Sequence, residues 1–471
     1  MKSETVYKRS PVFIQNIMTS IYGMLLHWQR YGGKNRQYAH QLERTEFQSR
    51  DQLKEFQNQN LRQIVRHAYA RTRYYKELFD RNGIEIDEIA TVDDLQRLPI
   101  LDKNVLKERS RQFIANPPGL KKSLKIYTSC TTGSPLTVYY DLDSRRKNYA
   151  FFKRVRKWRK IRVGDRRATF YGRAIIPPNQ HEPPFWRYDI AENNYLFSSY
   201  HMTPTNLSFY CEKLLKIQPR EIRGYPSSLN TIAQYINENH LNGIRPKAVF
   251  TTAETLLDNF RENIETAFGC KVTDTYGCTE MAFYITQCEF GTYHAHPEYG
   301  IIETINDAGE PVIGEPGQLV CTSFINYAMP LIRYRLGDLV TIKKEECRCG
   351  RHFPVVGEIV GRVDDIIITP EGKKVGRLDP IFKGGLNIKE TQIVQTAIDE
   401  IVLKIVPAVG YSDDDRRFLE DQLIRRIGAS TKFVFETVDE IPRDQRGKFR
   451  SVVSLINPGN KSARFRSLKE N

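Results

Sequence analysis

Strand-like and helix-like segments alternate between about residues 120 and 340, and this alternation constrains the fold of the 471-residue chain more than any other feature. The run from Val249 to Glu254 predicts the end of a strand, and Leu256 to Phe268 predicts the helix that follows it. Repetition of this unit is typical of α/β proteins in which most strands pair in parallel. We therefore expect an α/β core with a largely parallel sheet.

The flanking segments have different patterns. Residues 1–120 are mainly helical in pattern, and residues 300–360 predict a small barrel or sheet of strands joined by Gly/Pro turns. After Gly361 the pattern is βαβ-like, with strands expected at 366–369, 401–406 and 432–436 and helices at 389–398 and 413–427. Because a chain of this length exceeds one core, we expect a large N-terminal domain, 1–361, and a small α+β C-terminal domain, 362–471.

Composition and charge exclude several classes of protein. A hydrophobic content of 40% predicts a globular chain, and a net charge of +15 favours anionic ligands, with membrane surfaces and nucleic acid as alternatives. No nucleic-acid fold signature occurs, so we expect an enzyme that attracts anionic nucleotides and no nucleic-acid partner. The eight cysteines do not resemble a disulfide framework, and we find no signal peptide, so we expect a cytoplasmic protein.

The segment from Pro11 to Trp28 has apolar residues at helical spacing. Polar residues interrupt it, and it is too short and too polar to span a bilayer. We expect its apolar side to pack onto the body of the protein, and peripheral membrane contact is the alternative.

A cluster of hydroxyl-bearing residues, Tyr127 to Pro135, lies between two apolar runs. This pattern predicts a loop that joins two strands. Hydroxyls and free backbone N–H groups at close range suit the oxygens of a polyphosphate, although such clusters are also common as solvated turns.

Four further motifs follow this loop in a fixed order: Thr275 to Glu280, Arg333 to Asp338, Gly361 to Asp365, and Pro442 to Lys448. Together with the loop they resemble the adenylate-forming superfamily, from about Leu61 to about Val453. Other segments are similar to the phenylacetate–CoA ligase branch and its capsular-polysaccharide-cluster relatives, namely Ile64 to Tyr69 with Tyr74 and Tyr75, Gly224 to Ser228, and Cys347 to Arg351. The resemblance implies a large adenylation domain with a β subdomain and a mobile C-terminal domain.

The resemblance implies a nucleotide site for ATP and Mg²⁺. Its loop would hold the β- and γ-phosphates through Thr128, Ser129, Thr131, Thr132 and Gly133. This chain departs from the superfamily at Cys130, where a glycine is usual, and at Leu136, where many members carry a lysine. A Cβ atom at position 130 narrows the backbone conformations available to the loop.

The later motifs would complete that site. By resemblance, Tyr276 stacks on the adenine, Gly277 is part of the same nucleotide-binding segment, Thr279 touches the α-phosphate, and Glu280 binds Mg²⁺. Asp338 would accept both ribose hydroxyls, and Arg362 would contact the ribose and phosphates.

Two residues would make the C-terminal domain catalytic. Asp364 falls at the position about which that domain swings, and Lys448 matches the lysine that bridges the substrate carboxylate and the α-phosphate. Taken alone, the segment from Gly361 to Asp365 predicts a surface turn, and the segment from Pro442 to Lys448 predicts a solvated basic run.

The acyl pocket is expected near Tyr171, Tyr225, Ser227, Ala253 and Glu254. The insertion from Ile175 to Trp186 would cap it through His181 and Trp186, unless these two side chains serve only in packing.

Cysteine and histidine residues suggest a separate metal site. Cys288, His294, Cys347 and Cys349 would form a tetrahedral zinc site, as some phenylacetate–CoA ligase-like proteins have, and His296 could replace His294. The alternative is a set of buried thiols without metal.

These observations leave several functions open. The leading interpretation is a carboxylate–CoA ligase that consumes ATP and CoA. The alternatives are transfer of the acyl-adenylate to an amine, such as an amino sugar in capsular polysaccharide biosynthesis, nucleotidyl transfer without a thioester, and a degenerate nucleotide-binding protein.

Overall fold

The computed structural model describes residues 2–116, 124–127, 136–172, 175–177, 180–362, 367–370, 374–375, 378, 387–443 and 449–456. The first part of the chain is helical, which confirms the expected lead-in. Its helices are α1 (Lys2–Arg9), α2 (Val12–Tyr31), α3 (Asn35–Thr45), α4 (Arg50–Arg71), α5 (Arg73–Asn82) and α6 (Lys103–Glu108).

Local capping explains where these helices begin and end. The Ser49 hydroxyl accepts a hydrogen bond from the Gln52 backbone N–H, and the Gln52 side chain accepts one from the Ser49 backbone N–H, which closes a capping box at the start of α4. Gly83 ends α5 with φ +61°, a conformation that favours glycine.

Among the described residues, a sheet of 13 strands forms the centre of the molecule, and it contains the predicted parallel core. Strands β6, β4, β7, β8 and β9 are adjacent in that order and parallel, and antiparallel strands extend the sheet on both sides. The strands are β1 (Leu101–Asp102), β4 (Arg167–Tyr171), β5 (Trp186–Asp189), β6 (Asn194–Ser198), β7 (Glu221–Gly224), β8 (Ala248–Thr252), β9 (Val272–Gly277), β10 (Tyr284–Gln287), β11 (Tyr293–Ala295), β12 (Gly300–Ile305), β13 (Pro316–Ser323), β14 (Tyr334–Lys343) and β15 (Val355–Arg362). Outside this sheet, β2 (Leu124–Tyr127) and β3 (Thr137–Tyr140) pair with each other in antiparallel orientation.

Helices cover both faces of the parallel core. Val249 packs in a cluster with α8 (Leu207–Ile217), α9 (Pro226–Glu238) and α10 (Asp258–Phe268), whereas its neighbours Ala248 and Phe250 pack with α3 and α7 (Leu142–Trp158). Because successive side chains of a strand point to opposite faces, this division shows that the sheet lies between two helical layers.

The C-terminal part has its own small sheet, ordered β20–β19–β18–β21, with α11 (Asp413–Ile427) packed against it. Its strands are β18 (Ile388–Ala397), β19 (Glu400–Pro407), β20 (Lys432–Thr437) and β21 (Val452–Ser454), and β16 (Ile367–Ile368) pairs separately with β17 (Lys374–Val375). The prediction of a helix at 389–398 is wrong, because this segment forms strand β18. Thr391, Ile393 and Gln395 alternate as buried residues along it, and pairing with β19 outweighs the helical propensity of its Lys, Glu and Gln residues.

Helix α2 packs onto β5 and α7, but its orientation contradicts the expectation that its apolar side faces the body. Its buried residues are Gln15, Ser20, Gly23 and Leu26. The Gln15 side chain accepts a hydrogen bond from the guanidinium of Arg187 at 2.5 Å, so polar contacts rather than apolar packing fix this helix. None of the described helices is long and apolar enough to cross a membrane.

Candidate active site

The carboxyl ends of the parallel strands lie at one edge of the large sheet, where α/β proteins usually bind their ligands. Tyr171 ends β4, Tyr225 follows β7, and Thr252 and Thr275 lie at the ends of β8 and β9. These four residues line a cavity of about 330 Å³. The sheet thus brings two predicted acyl-pocket residues, Tyr171 and Tyr225, to one cavity, with their rings 5.3 Å apart.

Gly224 allows the chain to turn closely over the neighbouring strand at this edge. A Cβ atom at this position would lie 2.8 Å from the carbonyl oxygen of Phe170, which is closer than van der Waals contact permits. The Tyr225 N–H donates to the same carbonyl at 3.1 Å, so the path of the chain into the cavity is fixed by backbone contacts.

The other predicted pocket residues, Ser227, Ala253 and Glu254, lie beside the cavity and do not line it. The Glu254 carboxylate accepts hydrogen bonds from the Ser227 N–H at 3.0 Å and from the Ser227 hydroxyl at 3.1 Å. It also accepts one at 2.7 Å from the N–H of Phe449, far along the chain. Burial raises the pKa of Glu254, although these hydrogen bonds partly offset the shift.

The cavity has polar residues that the sequence did not reveal as pocket residues. Arg223 of β7, Arg156 of α7 and Tyr284 of β10 line it. The only sequence signal is the two-residue spacing of Glu221 and Arg223, which puts two opposite charges on the same face of β7.

The proposed cap residues lie elsewhere. Trp186 is part of β5, its ring packs against Phe197, and the Lys213 ammonium lies 5.5 Å from its ring centroid. His181 is exposed. Neither residue lines the cavity, so the packing interpretation fits Trp186 better.

Predicted nucleotide-binding residues meet next to this edge. The Tyr276 hydroxyl donates a hydrogen bond to the Asp338 carboxylate, so the expected adenine and ribose contacts are neighbours. Asp338 lies opposite Arg362 in the antiparallel pair formed by β14 and β15. The side chain of Arg362 lies outside the described residues.

Glu280, the predicted Mg²⁺ ligand, is buried in the turn that follows β9. Its carboxylate accepts a hydrogen bond from the Tyr334 hydroxyl at 3.3 Å, and the Lys103 ammonium lies 4.0 Å away. Lys103, at the start of α6, is a neighbour of the site that sequence reasoning missed. Gly277 is exposed and Thr279 is half-buried in the same turn.

Several predicted residues lie outside the described part of the chain, so their roles stay predictions. They are the phosphate-loop residues Thr128, Ser129, Thr131, Thr132 and Gly133, the hinge residue Asp364 and the lysine Lys448. The described strands on either side of the loop, β2 and β3, pair as the sequence predicted.

The predicted metal ligands Cys288, His294, Cys347 and Cys349 form one cluster, in which all four donor atoms lie within 4.8 Å of one another. The Cys288 and Cys347 sulfurs are 3.8 Å apart, and the Cys349 sulfur is 3.5 Å from His294 Nε2. A tetrahedral zinc ion gives edges of about 3.8 Å between sulfurs and about 3.6 Å between sulfur and nitrogen. The donor set therefore fits zinc.

Surrounding contacts orient these donors. His294 is fully buried, and its Nδ1 lies 3.3 Å from the carbonyl oxygen of Phe353, the kind of contact that fixes the ring of a metal ligand. His296 is excluded as a substitute for His294, because its ring contacts the Arg154 guanidinium and the Thr286 hydroxyl. Burial and the nearby Arg154 lower the pKa of His296 well below its usual value.

Comparisons with known proteins extend these observations. The family described as the CapK C-terminal domain matches residues 367–455. The chain is 29% identical over 467 residues to Protein CapK of Staphylococcus aureus, covering 96% of this chain and 99% of the relative. It is 26% identical over 369 residues to phenylacetate-coenzyme A ligase of Thermus thermophilus, covering 75% and 77% of the two chains.

Solved structures share the fold. A crystal structure of 2-hydroxyisobutyryl-CoA ligase in the postadenylation state matches with a TM-score of 0.73 and 20% identity, covering 88% of this chain and 91% of that one. The same ligase in the thioesterification state matches with a TM-score of 0.54 and 19% identity, over the same shares of both chains. The two sequence relatives and this shared fold thus make the chain similar to the AMP-forming ligases of the adenylate-forming superfamily, and in particular to their phenylacetate–CoA ligase-like branch.

Proposed function

We propose that this ligase activates a carboxylic acid with ATP and transfers the acyl group to CoA. One observation carries the proposal. At one edge of the sheet, a cavity suited to a small acid lies near Tyr276 and Asp338, which are hydrogen-bonded to each other, and near the buried Glu280. An acid in the cavity and a nucleotide at the turn after β9 would lie side by side.

The chemistry has two steps. A carboxylate oxygen attacks the α-phosphorus of ATP, the bond to the bridging oxygen breaks, and pyrophosphate leaves. The thiolate of CoA then attacks the acyl carbon, and AMP leaves with the pair of electrons of the C–O bond. Both reactants of the first step are anions, so positioning and charge neutralisation dominate its catalysis.

Each residue has one role in this proposal. Tyr276 packs on the adenine, Asp338 accepts the ribose hydroxyls, and Lys448 neutralises charge between carboxylate and α-phosphate. Glu280 would hold Mg²⁺, which neutralises the charge of the phosphate oxygens when it is bound. Thr279 and Arg362 would contact the phosphates.

A second candidate acceptor is an amine, such as an amino sugar. The similarity to Protein CapK covers 96% of this chain, whereas the similarity to the phenylacetate-coenzyme A ligase covers 75%. Because the relative that matches over more of the chain is not named as a CoA ligase, the amine is kept as the second candidate.

Pyrophosphate release from ATP tests the proposal, measured with a panel of carboxylic acids, with and without CoA, and with mass spectrometry of the products. We expect acid-dependent release and an acyl-CoA. Asp338→Ala should weaken ATP binding by about 100-fold, because it removes a charged acceptor of two hydrogen bonds. Asp93→Asn, at an exposed surface pair with Lys54, should change nothing. Formation of an amide in place of the thioester would favour the second acceptor, and the absence of release with every acid would refute activation.

We also propose that the cluster of Cys288, His294, Cys347 and Cys349 binds a structural zinc ion. Support comes from the tetrahedral spacing of the donors and from the Phe353 carbonyl beside His294. With four protein ligands the ion would have no open position, so it would stabilise the fold and take no part in the chemistry.

A further inference from the structure

Two arginine residues line the acyl cavity, and no carboxylate lines it among the described residues. Arg156 is 4% exposed, and the Arg223 side chain keeps 19% of its surface accessible. Such charged groups are unusual in a cavity whose other walls are aromatic rings and threonines, so their charge needs an explanation.

One carboxylate, that of Glu221, serves both arginines from behind the cavity. Its two oxygens lie 2.7 Å from Arg156 Nη2 and 2.7 Å from Arg223 Nη2, and it is fully buried. The neighbouring Arg167 has its own partner, Glu192, at 3.0 Å. Two guanidinium groups therefore share one negative charge, which leaves one positive charge at the cavity wall.

Three polar atoms at this wall of the cavity also lack a hydrogen-bond partner among the described residues. They are the Nε atoms of Arg156 and Arg223 and the hydroxyl of Tyr284, and all three are buried. Buried polar groups are normally paired, and a buried unpaired charge is costly. Burial lowers the pKa of Arg223, but Glu221 more than offsets this effect, so Arg223 keeps its charge.

One wall of the cavity is next in sequence to a predicted nucleotide-binding residue. Thr275 lines it and directly precedes Tyr276. An acid whose reacting carboxylate lies near Thr275 would therefore direct the rest of its carbon chain toward Arg223 and Tyr284.

We infer that the substrate carries a second carboxylate, which binds Arg223, Arg156 and Tyr284, so that the ligase activates a short dicarboxylic acid. This inference rests on the proposed function and adds the class of acid. The second carboxylate supplies the missing negative charge and accepts the unused hydrogen bonds.

Pairs of acids with equal carbon number test it: succinate against butanoate, glutarate against pentanoate, and adipate against hexanoate. We expect kcat/KM for pyrophosphate release to be at least about tenfold higher for one dicarboxylate than for its partner, because the monocarboxylate leaves the buried charge unpaired. Arg223→Gln should lower kcat/KM for that dicarboxylate about 100-fold and change that of the monocarboxylate less than about threefold.

Arg220→Gln is the matched control, because Arg220 lies next to β7 in a half-exposed pair with Asp165 at 3.3 Å. Arg223→Lys keeps a positive charge and should retain part of the preference, which guards against loss of folding in the glutamine variant. Two results would overturn this inference and leave acid activation standing. One is pyrophosphate release with monocarboxylates alone, and the other is an equal loss of kcat/KM for both acids in a folded Arg223→Gln variant. No release with any acid overturns acid activation itself.

A different surface carries a second inference. Helix α2 exposes its apolar side chains to solvent, with Phe13 at 64%, Ile21 at 61% and Trp28 at 55% of their full exposure. The other exposed apolar residues of the helix are Ile17, Tyr22, Met24 and Leu25. Spacings of three and four residues align most of them along one side of the helix. This surface, the α2 apolar face, is far more hydrophobic than the opposite side, which packs on the protein.

The charges around this face indicate what covers it. Residues 5–42 contain no Asp or Glu, whereas they contain the basic residues Lys8, Arg9, Lys34 and Arg36, in addition to Arg30, which is paired with Glu192. A second copy of the chain, docked face to face, would bring these basic residues against their own copies. A bilayer with anionic lipids would attract them and accept the apolar side chains at the same time.

We propose that the α2 apolar face attaches the protein to the surface of an anionic membrane, with the helix lying in the plane of the interface. Trp28, Tyr22 and Phe13 suit this position, since aromatic side chains favour the interface between headgroups and acyl chains.

Co-sedimentation with vesicles tests this proposal, with phosphatidylglycerol and phosphatidylcholine mixed in one sample and phosphatidylcholine alone in another. We expect binding to the anionic vesicles that weakens with salt, and a loss of at least about tenfold in the triple variant Phe13→Ser, Ile17→Ser, Trp28→Ser. The control Ile313→Ser removes an exposed apolar side chain elsewhere, at 55% exposure, and should bind normally. Absence of binding to anionic vesicles overturns the proposal. The proposal is also overturned if the protein forms a concentration-dependent dimer, and the triple variant abolishes this dimer but still binds vesicles.

Discussion

At the scale of single residues, Glu254 joins two distant parts of the chain. Its carboxylate receives the N–H groups of Ser227, at the start of α9, and of Phe449, which directly follows Lys448. Arg443 lies over the Phe449 ring at 4.7 Å, so this end of the chain is held at the edge of the large sheet. The contact places the Phe449 backbone beside Glu254 and therefore near the cavity.

Lys448→Ala should abolish adenylate formation and leave ATP binding nearly intact. The lysine would act on charge that shifts in the transition state, so its removal should lower kcat by about 100-fold or more. Pyrophosphate release measures the first quantity, and a binding titration with ATP measures the second. Lys432→Ala, at an exposed pair with Glu400, is the control. A variant that loses ATP affinity but turns over normally would contradict the assigned role.

Glu254 should make stability depend on pH. Its pKa is raised in the folded protein, so the folded state binds its proton more tightly than the unfolded chain does. Its contribution to stability is therefore greatest below its ordinary pKa and is lost as the pH rises through the raised value. Glu254→Gln keeps an acceptor oxygen but cannot ionise, so Tm of the wild type relative to this variant should fall as the pH is raised from below the ordinary pKa of a glutamate into the neutral range. A constant difference in Tm would show that Glu254 does not titrate in this range.

At the scale of elements, the cysteine and histidine cluster joins segments that are distant in sequence. Cys288 and His294 belong to the β10–β11 hairpin, and Cys347 and Cys349 lie between β14 and β15. Arg351, next to this cluster, is bound by Glu46 of the helical lead-in and by Glu289. A metal ion here would hold these two segments together, and Arg351 would connect them to the helical lead-in.

We predict one tightly bound zinc ion per chain, lost in Cys347→Ser or Cys349→Ser. Because the ion would close a loop of about 60 residues, its loss should lower the free energy of unfolding by several kcal/mol, with little direct effect on chemistry. Elemental analysis and thermal unfolding measure the two effects. Cys270→Ser changes a half-buried thiol outside the cluster and serves as the control. Freshly purified protein without zinc would show that the three thiols and His294 pack together without a metal ion.

At the scale of the whole molecule, the boundary between residues 361 and 362 stays a prediction. The C-terminal part contributes Val406, Ile441 and Phe449 to a core cluster of the large domain, which includes Phe260. The TM-score is higher against the postadenylation state of 2-hydroxyisobutyryl-CoA ligase than against its thioesterification state. In the structure the C-terminal part is docked through Phe449, and a second arrangement of this part stays a prediction.

Asp364→Pro should separate the two chemical steps. Proline fixes φ near −65°, so it should block rotation about this position. If the chain is held with Phe449 docked, the adenylate should form at a nearly normal rate while transfer to the acceptor collapses, and acyl-AMP should accumulate on the enzyme. Quench-flow with chromatographic detection of acyl-AMP measures this. Turnover of the complete reaction at the parental rate would mean that no swing about Asp364 is needed.

The sequence by itself determined the fold class, the resemblance to a family and most of the element pattern. Its motifs keep their order, and its parallel strands and α11 follow from local hydrophobic periodicity. The error at β18 arose because Lys, Glu and Gln residues favour a helix locally, whereas pairing with β19 forms only in the tertiary structure.

Only the tertiary structure decided which side chains share a cavity and which way α2 faces. Arg156 and Tyr284 meet Arg223 from different elements, and Glu254 meets Phe449 across 195 positions. Helical periodicity finds the apolar side of α2, but it does not reveal that polar contacts of Gln15 and Ser20 hold the opposite side against the body. Periodicity is a local property, and these contacts depend on long-range packing.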